Sequence, residues 1–215
     1  MTTVILFDVD YTLFDTERFR ATLSAFAGER SSQLWEAYAA VRATEPAASL
    51  PAALARLAGS DPATAQALTT ALAQLDYRRF LVPGVGAVLA AARALGQPVI
   101  LSEGDPPFQQ EKIRRAGLAE AVDGRVLVYP EKAAHLAAVV TAFPASHYWM
   151  VDDRARLLGW FKRLLGLRST TVQICRGPYA AEPPDPGDPW PDHRVAEIGA
   201  LVPLLQRAAE RSTCG

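Results

Sequence analysis

Residues 4–16, VILFDVDYTLFDT, pass from an unbroken apolar run to paired carboxylates without a turn signal between them. Val4, Ile5, Leu6 and Phe7 suit a strand buried on both faces, as in a parallel sheet covered by helices. Asp8 and Asp10 follow at its end, and continued extension of the chain would point both into the crevice at the carboxyl edge of such a sheet. Two carboxylates that close raise each other's pKa unless a proton or a cation neutralises them. The stretch therefore predicts a site as well as a strand.

The rest of the chain repeats the theme. Residues 98–101 (PVIL), 125–129, 148–151 and 170–174 read as further short strands. Helical patterns separate them: Val88, Leu89 and Leu95 running to Gly96 as a C-terminal cap, about 108–116 ending at Gly117, and the run through Leu136, Val139 and Val140. Strands alternating with helices at this spacing predict an α/β, doubly wound, Rossmann-like parallel sheet with right-handed crossovers. The strand ends then bring together Asp8, Asp10, the cluster Ser102, Glu103, Gly104 and Asp105, Lys132, and the pair Asp152 and Asp153.

Residues 16–81 break the alternation. They are rich in Ala and Leu and carry no strand pattern, which predicts an all-helical insert after the first strand, leaving 1–15 and 82–215 as the α/β core. Leu34, Trp35, Tyr38 and Val41 follow helical spacing behind Ser31 and Ser32 as caps. Asp61 before Pro62 is an N-cap followed by proline at the first helical position, and Leu68, Leu72 and Leu75 continue that helix. The apolar stripes are expected to form the insert's own small core. Beyond the fifth strand, 177–191 is dense in Pro, Gly and Asp and reads as a surface connection to a last helix from about Val195 to Ala208, divided by Pro203.

Composition narrows the partners. With 22 Lys and Arg against 23 Asp and Glu, the net charge of −1 offers no general attraction for nucleic acid or an anionic membrane. No stretch reaches the length of a membrane span, so a soluble, cytoplasmic protein is expected. Cys175 reads as a buried thiol and Cys214 as part of a loose tail, not as a disulfide. His135, His147 and His193 share no metal-ligand spacing and receive no chemistry.

An aspartate nucleophile suits phosphoryl transfer through an aspartyl phosphate, with a second acid protonating the leaving alkoxide and then activating water. That second acid needs a pKa nearer neutrality than the first. The remaining carboxylates suit Mg²⁺, and Ser102, Lys132 and backbone N–H groups suit phosphate oxygens.

In these residues the chain resembles the haloacid dehalogenase-like superfamily of hydrolases, whose four motifs occur here in order. FDVDYTLFD is similar to the first motif and implies Asp8 as nucleophile, Asp10 as acid/base and Thr12 as the residue that positions the loop. ILSEG is similar to the second, with Ser102, Glu103 and Gly104 around the phosphate. Lys132 corresponds to the third-motif lysine, and MVDD to the fourth-motif acids, so that Asp153 and Asp152 join Asp8 and Asp10 around Mg²⁺. The helical insert resembles the family's type-1 cap, which closes over the site. Two positions depart from the pattern: Tyr11 stands where glycine is common, and Glu103 where asparagine is frequent. The resemblance implies a Mg²⁺-dependent phosphatase of a small phosphorylated metabolite, monomeric or homodimeric. Phosphotransferase or mutase action, 2-haloacid dehalogenation and a catalytically idle binding protein are the alternatives. Dehalogenation is disfavoured by Asp10, which that branch typically lacks.

Overall fold

The structure, a computed structural model, describes residues 2–45, 47 and 49–213; Cys214 lies outside them. Six strands form one sheet: β1 (Thr3–Phe7), β2 (Gln97–Glu103), β3 (Val126–Tyr129), β4 (His147–Asp152), β5 (Ser169–Ile174) and β6 (His193–Val195). Their order is β3-β2-β1-β4-β5-β6, and every pairing is parallel. The chain starts at the centre, builds outwards on one side and then on the other. The topological switch thus falls beside β1, where a doubly wound sheet opens its ligand crevice.

Alternation along β1 separates the two helical layers. Val4 and Leu6 pack with Val99, Leu101, Tyr148 and Met150 against α8 (Leu136–Ala142) and α9 (Ala155–Leu165). Ile5 and Phe7 face the opposite layer, which includes α5 (Val85–Leu95) and α10 (Leu201–Thr213). Gly96, after α5, is fixed by close approach: a Cβ there would lie 2.2 Å from the Thr3 carbonyl oxygen. Only glycine lets α5 return onto the sheet beside β1.

Between β1 and α5 the chain forms α1 (Thr16–Ala27), α2 (Ser31–Thr44), α3 (Leu50–Ala58) and α4 (Pro62–Gln74). Asp61 caps α4 as expected, accepting from the Thr64 N–H at 3.1 Å. Ser31 and Ser32 do not cap α2. Ser31 is already helical, and Arg30 occupies the cap position without a side-chain bond. The segment leaves the sheet and returns to it at one place: the Asp15 N–H donates to the Phe80 carbonyl, and the Val82 N–H to the Leu13 carbonyl. Above this base Phe14, Phe19, Tyr77 and Phe80 form an aromatic knot with centroids 5.3 to 6.3 Å apart. The insert does not have a separate core. Its buried Leu23, Leu34, Leu54 and Leu68 run continuously into the sheet-facing cluster through these rings.

The carboxyl-terminal third departs most from expectation. Val195 ends β6, an edge strand of alternating exposure, and does not begin a helix. A 3-10 turn (Ile198–Ala200) follows, and α10 starts only at Leu201. Pro203 therefore sits in the first turn, where an N–H has no intrahelical acceptor and a missing one costs nothing, so it divides no helix. Cys175 is partly exposed at the end of β5, not buried. No helix among the described residues is long and apolar enough to cross a membrane.

Replacing Phe14 by Ala should empty the knot and cost about 3–5 kcal/mol of stability, read from urea denaturation. A loss below about 1 kcal/mol would show that the insert and the sheet do not depend on a shared core.

Candidate active site

Strand register brings the acids together. Phe7 pairs with Val151, and the Asp8 N–H donates to the Val151 carbonyl at 2.9 Å, so Asp8 emerges beside Asp152 and Asp153. Lys132, in a 3-10 turn (Lys132–His135) beyond β3, reaches the same point with a fully buried ammonium. Its Nζ donates to Asp8 Oδ1 at 2.5 Å and to Asp152 Oδ2 at 2.6 Å. Burial opposes the charge on Lys132, but Asp152 and Asp8 outweigh it and raise its pKa. Burial pushes the Asp8 carboxyl up to about 6; Lys132 counteracts this, while Asp152 and Asp10 add to it.

Asp10 turns elsewhere. β1 ends at Phe7, the Val9 carbonyl accepts from the N–H groups of Thr12, Leu13 and Phe14, and Tyr11 adopts a left-handed backbone with φ of 59°. Asp10 Oδ1 accepts from the Thr16 hydroxyl at 2.6 Å, and Oδ2 accepts from Lys112 Nζ at 2.6 Å and Gln109 Nε2 at 2.8 Å. Burial would raise its pKa, but Lys112, together with the Thr16 and Gln109 hydrogen bonds, holds it below the ordinary carboxylate value. The two acids thus titrate in the reverse of the expected order. The reason is a second ammonium, on α6 (Pro106–Arg115), which the sequence reading did not include.

A cavity of about 460 Å³ opens between this sheet edge and the helical segment. Asp8, Asp10, Glu103, Gly104 and Asp153 line it, whereas Thr12, Ser102, Lys132 and Asp152 lie beneath its surface. Ser102 accepts a hydrogen bond from Gln109 Nε2 at 3.1 Å, and Gln109 is the residue that faces the cavity there. Thr12 Oγ1 is buried without a partner. Glu103 is engaged within the protein: its carboxylate accepts from the Lys132 N–H at 3.0 Å and from Arg154 Nη1 at 2.8 Å. Its extra charge is therefore already paired. The segment 177–191 is more than a connection, since Pro178 and Tyr179 line the cavity and Gly177 backs the Tyr11 ring. Trp35 and Tyr38, expected in the insert's core, line the cavity too.

Lys112 and Gln109 carried a signal in the sequence. With Phe108, Ile113 and Ala116 they occupy the inward face of α6 at helical spacing, and a lysine on such a face requires a buried acid. Arg154 carried less, because its role depends on where the Glu103 carboxylate lands.

The donor set suits a hard cation at one point only. Among the described residues no group of three His, Cys, Asp or Glu is gathered as a ready-made metal cluster. Yet Asp153 Oδ2 is buried without a hydrogen-bond partner, and burial, Asp152 and Asp8 push its pKa to about 9. Asp152 is saturated by Lys132 and by Arg154, whose backbone N–H donates to its Oδ1 at 2.9 Å. Asp10 is saturated as well. Asp8 and Asp153 are thus the carboxylates with capacity left for a divalent ion, and the orphaned oxygen fits one.

The model of the haloacid dehalogenase-like hydrolases matches residues 2–156. A crystal structure of a haloacid dehalogenase-like hydrolase from Burkholderia xenovorans LB400 is 35% identical, covering 96% of this chain and 98% of that one, with a TM-score of 0.84. L-2-haloacid dehalogenase from Xanthobacter autotrophicus shares the fold at 19% identity and a TM-score of 0.64, with 96% and 99% covered. The magnesium-bound hydrolase YfnB from Bacillus subtilis shares it at 15% and 0.62, with 95% and 98% covered. No curated protein sequence matches the chain.

Replacing Asp153 by Asn should stabilise the protein in chelator. A carboxyl that titrates at 3.8 when unfolded and about 9 when folded binds its proton between those values only in the native state. Stability therefore falls as pH rises through that window, and the amide removes the loss. Thermal melts at pH 8 should place the variant on the order of 5 °C above wild type, with a smaller gap at pH 5. An equal or lower melting temperature at pH 8 would contradict the orphaned-carboxylate reading.

Proposed function

The chain belongs to the haloacid dehalogenase-like hydrolases, and from that premise we propose that it is a Mg²⁺-dependent phosphatase of a small phosphorylated substrate. The observation that carries the reading is the cluster at the end of β1: a buried carboxylate, Asp8, held by Lys132 beside an Asp153 oxygen that has no partner. Asp8 attacks phosphorus and becomes the aspartyl phosphate. Lys132 lies where negative charge then collects, fixed in advance by Asp152, so its stabilisation requires no rearrangement. Mg²⁺ held by Asp8 and Asp153 would supply charge neutralisation to the transferring phosphoryl group.

Asp10 starts as an ionised base. The cation that can supply it with a proton is the Lys112 ammonium, 2.6 Å from Oδ2. A proton passes from Lys112 through Asp10 to the departing alkoxide. It returns when Asp10 deprotonates the water that cleaves the aspartyl phosphate, and both groups end as they began.

Dehalogenation of a 2-haloacid is the second reading. The observation in its favour is that Lys132 already neutralises Asp8 without a metal, and a halide leaves without a proton. Assays with p-nitrophenyl phosphate separate the two. Hydrolysis should depend on Mg²⁺, cease in chelator, and fall at least 10³-fold in Asp8→Asn. Chloride release from 2-chloropropionate in chelator, with no phosphate ester cleaved, would replace this reading with the second.

A further inference from the structure

The cavity walls carry four cationic side chains, and they are not equivalent. Lys112 is paired with Asp10 and Arg154 with Glu103. Arg20 and Arg42, on α1 and α2, line the same cavity, and neither forms an ion pair with any described carboxylate. Arg20 is held instead by aromatic faces: its guanidinium lies 4.2 Å from the Trp35 ring centroid and 5.7 Å from that of Tyr38. Trp35 is itself fixed, donating from Nε1 to Ser24 Oγ at 2.7 Å and standing edge-on to Tyr38 at 5.8 Å. Arg42 approaches the same Tyr38 ring at 6.0 Å.

Stacking on an aromatic face orients a guanidinium without engaging its in-plane N–H donors, of which Arg20 spends part on the Tyr11 hydroxyl. Two such groups on a concave wall that also carries Asp10 and Glu103, each already matched to its own cation, form a receptor for an anion that the protein does not supply. We propose that Arg20 and Arg42 form a second anion subsite, so that the substrate carries a carboxylate or a second phosphate at the end remote from the reacting phosphoester. This rests on the phosphatase reading for the reacting end only. It makes the helical segment a selector for substrates charged at both ends, where binding energy from the remote group is used to position the reacting one.

Three aryl esters test it: phenyl phosphate, 4-carboxyphenyl phosphate and benzene-1,4-bisphosphate. In wild type, kcat/KM should favour a doubly anionic ester over phenyl phosphate by at least about tenfold, and whichever of the two leads identifies the remote group. In Arg20→Met and Arg42→Met that ratio should fall towards one. Because it is a ratio within each variant, general damage to the enzyme cancels, and circular dichroism melts confirm folding. A wild-type ratio near one, or a ratio unchanged in both variants, overturns the subsite. Calorimetric titration with phenylphosphonate and 4-carboxyphenylphosphonate needs no turnover. Tighter binding of the second that is lost in the double variant, in a protein that hydrolyses none of the esters, would keep the subsite and reject the phosphatase reading. Equal binding of the two would reject the subsite itself.

Discussion

The structure depends on how a buried group of acids is kept tolerable. Lys132 lies between Asp8 and Asp152 with no exposure to solvent. Removing one member of such a buried ionic set characteristically costs about 3–5 kcal/mol, because the survivors remain charged and dry. Parallel pairing of β1 with β4 forces the acids together, and the turn after β3 delivers the ammonium that holds them. A second pair, Asp10 with Lys112, repeats the solution a few residues on. The two aspartates of the first loop offset their mutual repulsion by diverging towards different lysines.

This neutralisation is incomplete in one place. Asp153 has no cation of its own, and Arg154 beside it is committed to Glu103 and Asp152. Electrostatic cost is thus concentrated on the carboxylate that borders the cavity. Sites of this kind trade stability for readiness to bind. The same division separates the paired cations near the chemistry from Arg20 and Arg42, which form no ion pair with a described carboxylate.

Much of the fold was legible because buried parallel strands announce themselves as apolar runs. Val4 to Phe7, Pro98 to Leu101 and Tyr148 to Val151 needed no tertiary information. β6 escaped because His193, Arg194 and Val195 make a short edge strand whose pairing with β5 is set by the sheet. The strand ends bring Asp8, Lys132, Asp152 and Asp153 together at one edge of the sheet, with Lys132 and Asp152 beneath the cavity surface. What pattern could not reveal was the partner of each acid. The fate of Asp10 depends on Lys112, roughly a hundred residues away, and that of Glu103 on Arg154. The separate core expected for the insert failed for a similar reason, since Phe14 and Phe80 join it to the sheet only after the chain has closed on itself.

Tyr11 pays for its position with a left-handed backbone, and its ring fills the space over Gly177, where a Cβ would fall 2.3 Å from Cδ1. Positions 11 and 177 lie far apart in the chain, yet they occupy a single volume. Variation at one is therefore conditional on the other: a side chain at 177 clears its neighbours only in a background that has first given up the ring at 11, and even there it bears the left-handed backbone of that position, with φ of 69°. Redesign of the cavity mouth has to treat the two as one degree of freedom, and the order of changes matters, because the reverse path passes through a clash.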